Sequence, residues 1–256
     1  MSESKPELQE KIISWLNKTG LPLELKTASA FAAEGFEAFH SVIYRDPETQ
    51  KGREIDVVAV HRSGSAEPHV RFVIECKASS KDQTKPWIVI VSEKNKPGMF
   101  GADYLGIVSK PFKRVSMAVA RSILGTPEVA TMRTGGYLLR QAFSGEQDTA
   151  YSTSLSVMNA SKAVFANNPI LDESFAFVQP VIVVEGPLFE CEMKEDGQFV
   201  LREVPVSAFS FTQANREVCS IRIASKEGLP MLARQCRETA NLLNVILSGI
   251  EVPSGH

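Results

Sequence analysis

Three consecutive strand-like runs follow a helical segment within the first 77 residues, and this order constrains the fold more than any other feature of the sequence. The runs are FEAFHSVIY at 36–44, REIDVVAVHR at 53–62 and VRFVIECK at 70–77, and turn-forming residues separate them. Before them, about residues 23 to 34, apolar side chains recur at helical spacing up to Gly35. The sequence therefore predicts a helix followed by three strands.

The second half of the chain adds a long helix, more strands and a terminal helix. The predicted elements are a serine-rich helix at 148–166, a buried strand at 178–185, a hairpin turning at 195–197, a strand at 218–225 and an amphipathic helix from 229. Between the two halves, the sequence predicts a basic helix at 110–124. The short apolar runs at 87–91 and 105–109 are candidates for small strands or edge insertions, with no assigned place in the sheet. We expect one α/β domain over residues 1–256, with a C-terminal strand and helix elaboration.

Composition excludes several classes of protein. No apolar run approaches the roughly 18 residues of a membrane span, and the polar start MSESKPELQE differs from a signal peptide. We therefore expect a cytoplasmic protein with no membrane partner. The four cysteines form no C-x-x-C pair, which indicates reduced core thiols instead of a zinc site or a disulfide framework.

Charge is distributed unevenly along the chain. Residues 71–140 hold 12 Lys and Arg against 5 Asp and Glu, in a chain whose net charge is −2. A solvated surface explains part of this asymmetry, but a positive segment also favours a polyphosphate ligand such as nucleic acid.

The third strand ends in Glu75-Cys76-Lys77, one of four E-x-K tripeptides in the sequence. Only this one closes an apolar strand that is preceded by another strand bearing an acid, Asp56. Residues i and i+2 of a strand share a face, so Glu75 and Lys77 should project together while Cys76 points into the core.

If the strand of Asp56 lies beside that of Glu75, two carboxylates and the backbone carbonyl of Cys76 provide hard oxygen ligands suited to Mg²⁺. A lysine next to such a metal can position or activate a water. These are the requirements of phosphodiester hydrolysis, namely a cation to neutralise charge and an oriented nucleophile.

This arrangement resembles the PD-(D/E)XK nuclease superfamily, with its restriction-endonuclease-like fold. Asp56 followed 19 residues later by Glu75-Cys76-Lys77 matches the superfamily motif, although Ile55 stands where the motif has proline. Glu24, 11 residues before Gly35-Phe36, matches the branch of Mrr-like restriction enzymes and Holliday-junction resolvases.

The resemblance implies an α-β-β-β-α-β core with a mixed central sheet flanked by helices, spanning about residues 20–186, with the elaboration at about 187–256. It also implies a Mg²⁺- or Mn²⁺-dependent endonuclease acting on DNA, with RNA not excluded and a possible homodimer. Asp56, Glu75, Lys77 and Glu24 would be catalytic, and the metal ligands would be Asp56, Glu75, the Cys76 carbonyl and possibly Glu24.

Other interpretations of the same residues remain open. A non-catalytic nucleic-acid-binding or scaffold protein could retain this fold, and a transfer enzyme could use Cys76 as nucleophile. Ser79, Ser80 and Lys81 suit phosphate contacts, but loop polarity explains them nearly as well. Trp87 could stack on a base, although a lone tryptophan beside an apolar strand is more often a core residue.

Overall fold

The computed structural model of the chain has a mixed α/β architecture, as expected, with one large mixed sheet. It describes residues 5–46, 49–61, 69–79, 85–92, 107–108, 135–144, 148–166, 176–212 and 218–248. Within these ranges the helices are α1 (Lys5–Leu16), α2 (Leu21–Ala33), α3 (Thr149–Ala166) and α4 (Leu229–Ser248). No helix in the described ranges has the length and apolar character needed to cross a membrane.

Eleven strands in the described part of the chain join the sheet. They are β1 (Glu37–Arg45), β2 (Gly52–His61), β3 (His69–Lys77), β4 (Trp87–Ser92), β5 (Ile107–Val108), β6 (Gly135–Gln141), β7 (Ala176–Val184), β8 (Leu188–Met193), β9 (Phe199–Glu203), β10 (Val206–Thr212) and β11 (Val218–Ser225). Their order is β1-β2-β3-β7-β11-β10-β6-β4-β8-β9, and β5 pairs with β7.

The sheet has an antiparallel end and a parallel centre. Strands β1, β2 and β3 pair antiparallel, whereas β3, β7 and β11 run parallel. The carboxyl ends of β3, β7 and β11 therefore lie at one edge of the sheet, and β3 ends there with Lys77. Because β11 pairs directly with β7, strands from both sides of residue 186 belong to the same sheet.

Two apolar cores cover the two faces of the sheet. On one face, α2 and α4 pack over the sheet through residues such as Phe31, Phe72, Val181, Leu232 and Cys236, and we call this the α2/α4 core. On the other face, the α3 core includes Ile55, Val73, Val157, Met158 and Ile182.

Local sequence signals explain where the site-bearing elements begin and end. Helix α2 ends before Gly35, whose φ of +86° suits glycine, and the Phe36 amide donates to the Phe31 carbonyl at 3.2 Å. Helix α3 begins after Asp148, whose Oδ1 accepts a hydrogen bond from the Tyr151 amide at 2.9 Å. Both positions agree with the sequence prediction.

Some of the sheet could not be predicted. Strand β4 confirms that the run at 87–91 is a strand, but its place within the sheet, between β6 and β8, was not predicted. The sequence did not predict β6, which begins with two glycines, or β10, in which serines interrupt the apolar residues. The predicted basic helix at 110–124 lies outside the described residues.

Candidate functional site

The predicted pair at the end of β3 lies on one face of the strand. The Nζ of Lys77 donates to Oε1 of Glu75 at 2.6 Å, and the hydroxyl of Ser156 on α3 donates to Oε2 at 3.3 Å. Glu75 is 9% exposed. A buried carboxylate without a partner would destabilise the fold. The hydrogen bond from Lys77 is therefore expected to hold the Glu75 carboxylate in a defined geometry.

Cys76 points to the opposite face, as strand alternation predicts. Its thiol lies in the α2/α4 core and donates to Oγ1 of Thr27 at 3.5 Å. Burial raises the pKa of the thiol well above its usual range, and the carboxylates of Asp56 and Glu24 act in the same direction. A thiol that stays protonated is a poor nucleophile, which argues against a transfer reaction through Cys76.

Asp56 approaches β3 from the neighbouring strand. Paired residues of β2 and β3 end at Val57 and Ile74, one step before Asp56. Beyond that point, Oδ2 of Asp56 accepts a hydrogen bond from the backbone amide of Cys76 at 2.7 Å. The side chain thus replaces a backbone partner at the place where the two strands stop pairing.

The carbonyl of Cys76 points to the same side of β3 as Asp56. The Glu185 amide donates to the Lys77 carbonyl at 3.0 Å, so the peptide groups of Lys77 are directed towards β7. Successive residues of a strand direct their peptide groups to opposite sides, and the Cys76 carbonyl therefore faces the side of β2. An oxygen donor lies there together with the Asp56 carboxylate.

Negative charge accumulates around Asp56. Burial raises its pKa to about 7, repulsion from Glu75 and Glu24 adds to the rise, and the Cys76 amide and Lys77 oppose it. At neutral pH the metal-free site therefore holds a carboxylate that is easily protonated. A cation placed beside it would favour the ionised form.

Glu24 lies in the first turn of α2, within electrostatic range of both acids. Burial raises the pKa of its carboxyl group, Glu54 and Glu75 raise it further, and His40 lowers it. The structure thus brings Asp56, Glu75 and Lys77 together, with Glu24 nearby. In the described residues, however, no three His, Cys, Asp or Glu side chains stand close enough together to hold a metal ion.

Asp56, Glu75 and the Cys76 carbonyl offer oxygen donors of the chemical type expected for Mg²⁺ or Mn²⁺. Carboxylate and carbonyl oxygens are the ligands that these ions take, usually with water completing the shell. Burial is the largest cause of the raised pKa of Asp56, and a divalent cation would offset the repulsion from Glu75 and Glu24 that adds to it. Two side-chain carboxylates and one backbone carbonyl would form the protein part of such a site.

Sequence reasoning missed Glu185, which follows β7 and joins three strand ends. Its Oε2 accepts from the Ser79 amide at 3.1 Å, its Oε1 accepts from Nζ of Lys226 at 2.8 Å, and its own amide bonds the Lys77 carbonyl. The Lys226 hydrogen bond is the main reason that the pKa of Glu185 is lowered. The segment that follows Lys77 is therefore fixed by β7 and β11.

Two hydroxyl groups near Glu75 were also missed. Ser156 bonds Glu75 directly, and the serine-rich composition of α3 was the only signal for it. The hydroxyl of Tyr44 is buried with no hydrogen-bond partner in the described part of the chain. Burial raises the pKa of this side chain, and repulsion from Asp46 and then from Glu75 adds to the rise.

The remaining candidates from the sequence are Trp87, for base stacking, and Ser79, Ser80 and Lys81, for phosphate contacts. Trp87 is 2% exposed in the α3 core, so it does not offer a stacking surface. Ser80 and Lys81 lie outside the described residues, whereas the Ser79 amide is bound to Glu185.

Comparison of the chain with protein-family models, with curated proteins and with solved structures gives no match. The geometry of the site is therefore the basis for a functional proposal.

Proposed function

We propose that the protein is a metal-dependent nuclease that hydrolyses DNA phosphodiester bonds through Asp56, Glu75 and Lys77. One observation carries the proposal: the Asp56 carboxylate and the Glu75–Lys77 pair lie where β2 and β3 stop pairing. There Oδ2 of Asp56 is 2.7 Å from the Cys76 amide nitrogen, and Nζ of Lys77 is 2.6 Å from Oε1 of Glu75. Two acids and a lysine at one strand end meet the needs of a cation and an oriented water.

The order of elements supports a restriction-endonuclease-like core. Helix α2, strands β1 to β3, helix α3 and strand β7 follow one another as that fold requires, apart from the strands inserted between β3 and α3. The strand order β1-β2-β3-β7, with two antiparallel pairs followed by a parallel pair, agrees with a PD-(D/E)XK assignment.

Each residue has a distinct role in this proposal. Asp56, Glu75 and the Cys76 carbonyl would hold Mg²⁺ or Mn²⁺, and Glu24 would support its water shell. The bound ion supplies neutralisation of the charge that develops on the phosphoryl oxygens. Lys77, held against Glu75, orients the attacking water and donates a hydrogen bond from Nζ towards the phosphate.

The chain offers a matched control for Lys77. Glu192 on β8 and Lys194, which follows that strand, form a second E-x-K ion pair with Nζ 3.3 Å from the carboxylate, and β8 lies far along the sheet from the strand of Asp56. We would compare wild type, Lys77→Ala and Lys194→Ala on plasmid, linear, branched and single-stranded DNA and on RNA, in Mg²⁺ and Mn²⁺.

We expect Lys77→Ala to reduce cleavage about 100-fold or more while Lys194→Ala retains it. Circular dichroism would verify that both variants are folded. Equal cleavage by the wild type and Lys77→Ala contradicts the proposal.

A second candidate is a non-catalytic nucleic-acid-binding protein with the same fold. It is favoured by the absence, among the described side chains, of three acids close enough to hold a metal. Metal-independent DNA binding, with no cleavage of any of these substrates, would select this candidate.

A further inference from the structure

Ser41 has a backbone conformation that is unusual within a strand. Three residues other than glycine have positive φ in the described ranges, namely Ser41 at 51°, Gln50 at 58° and Phe143 at 58°. Gln50 and Phe143 lie between elements, whereas Ser41 lies in the middle of β1. Residues with a Cβ rarely adopt this region, so the surrounding structure must impose it.

The strained residue lies opposite Asp56. Strands β1 and β2 pair His40 with Val57 and Val42 with Ile55, and the pair between these two, Ser41 with Asp56, is missing from the ladder. The β2–β3 ladder also ends at Val57, so Asp56 is unpaired towards both neighbouring strands.

Both strands change their packing face at this level. On β1, Ala38 packs against the α2/α4 core but Val42 against the α3 core. On β2, Ile55 belongs to the α3 core and Val57 to the α2/α4 core. Residues an even number apart share a face in a regular strand, so β1 and β2 are both rotated between these positions.

The rotation accounts for the direction of the Asp56 side chain. In a regular strand a side chain projects from a face of the sheet, away from the backbone amides of the adjacent strand. Here Oδ2 of Asp56 lies 2.7 Å from the Cys76 amide nitrogen. Backbone amides of a sheet donate within its plane, so the Asp56 carboxylate must lie close to that plane.

We propose that Ser41 is a positioning residue: its left-handed backbone conformation directs the Asp56 carboxylate into the plane of the sheet, towards Cys76 and Glu75. The structural part concerns the chain alone, and its catalytic consequence rests on the proposed nuclease function. The Ser41 side chain is exposed, so a larger side chain would fit without a clash and would test the backbone conformation itself.

The experiment compares residues that tolerate the left-handed conformation with residues that resist it. Ser41→Gly and Ser41→Asn tolerate it, Ser41→Val strongly resists it, and Ser41→Ala is a milder variant if Ser41→Val does not fold. Phe143→Gly and Phe143→Val are the matched controls, because Phe143 has a similar φ and is 82% exposed in the loop after β6.

Two measurements are made on each variant. Amide NMR reports the Cys76 N–H, which a carboxylate acceptor shifts downfield and protects from hydrogen exchange. DNA cleavage in Mg²⁺ or Mn²⁺ gives kcat/KM. We expect Ser41→Val to lose the hydrogen bond from the Cys76 amide and to show a kcat/KM about 100-fold lower than that of the wild type. Ser41→Ala should show smaller changes of both properties in the same direction. Ser41→Gly, Ser41→Asn and both Phe143 variants should retain both properties.

The outcomes distinguish the inference from the function on which it rests. A Cys76 amide that is unchanged in both Ser41→Val and Ser41→Ala overturns the inference, whatever happens to cleavage. Loss of this hydrogen bond with full cleavage supports the structural part but overturns the catalytic consequence, because the position of Asp56 then does not matter to the reaction. If wild type cleaves no substrate, the nuclease proposal fails, and the amide series still decides whether Ser41 directs Asp56.

Discussion

The Asp56 carboxylate accepts a hydrogen bond of 2.7 Å from the backbone amide of Cys76, although the ladder between their two strands ends one residue earlier on β2, at Val57. This hydrogen bond keeps an acid inside the protein next to a second acid, Glu75. The cost of that arrangement should be measurable as a dependence of stability on pH.

The first prediction is that the metal-free protein is more stable at pH 5 than at pH 8. The folded pKa of Asp56, about 7, lies above its ordinary value of 3.8. A raised pKa means that the folded state binds the proton more tightly, so this stabilisation is fully present below pH 4 and is lost as pH rises through 7. The loss is at most about 1.4 kcal/mol per pH unit across that window.

Urea denaturation in EDTA at several pH values measures this effect. Asp56→Asn, which cannot titrate, should flatten the profile, and Asp196→Asn in the exposed hairpin turn should leave it unchanged. A profile of equal slope in wild type and Asp56→Asn would show that Asp56 is not the responsible group.

The second prediction concerns metal binding. At pH 8, Mg²⁺ or Mn²⁺ should raise the Tm of the wild type, and a concentration of 100 times Kd corresponds to about 2.7 kcal/mol. Asp56→Asn and Glu75→Gln should lose most of this shift, whereas Glu192→Gln, in the control E-x-K pair, should keep it. The same shift in all four proteins would mean that the ion binds elsewhere.

The third prediction tests the link between Glu185 and Lys77. Glu185→Gln retains an acceptor for the Ser79 amide but loses the ion pair with Lys226. We expect kcat to fall about tenfold with little change in KM, because the segment after Lys77 becomes less well positioned.

A matched control separates this effect from simple destabilisation. Glu34→Gln removes another ion pair, in which the Glu34 carboxylate, just after α2, lies 2.7 Å from the Arg237 guanidinium of α4. It should leave cleavage unchanged. If Glu34→Gln and Glu185→Gln lower kcat equally, Glu185 has no special relation to Lys77.

The fourth prediction is that Cys76→Ala keeps full activity. Its thiol donates to Thr27 in the α2/α4 core, on the face of β3 opposite Glu75 and Lys77. Removing it should destabilise the fold by about 1 kcal/mol and leave kcat unchanged. Denaturation and cleavage assays provide the two values, and an inactive but folded Cys76→Ala would reopen a role for the thiol in catalysis.

The sequence predicted the elements whose signals are local. Alternation in β1 to β3 and the ends of α2 and α3 at Gly35 and Asp148 follow from nearby residues, and they suffice to bring Glu75 and Lys77 to one face. Whether these residues bind metal and cut DNA stays a prediction.

Relations between distant segments could not be read from the sequence. Strand β4 pairs with β6 and β8, and Glu185 reaches Ser79 over 106 positions, so tertiary packing determines both. Ser41 carries no sequence signal of a left-handed backbone, because serine is an ordinary strand residue in most contexts. Its conformation depends on how β1 and β2 are twisted together by the two cores.

The parallel pairing of β11 with β7 also determines when the site can be completed during synthesis. Until residues 218 to 225 are made, residues 181 to 184 of β7 have no β11 partner, and Glu185 has no Lys226 to bind. The face that α4 covers would be exposed for the same period. A nascent chain that already contains Asp56, Glu75 and Lys77 must therefore wait for its last strand and helix before these residues reach their final positions.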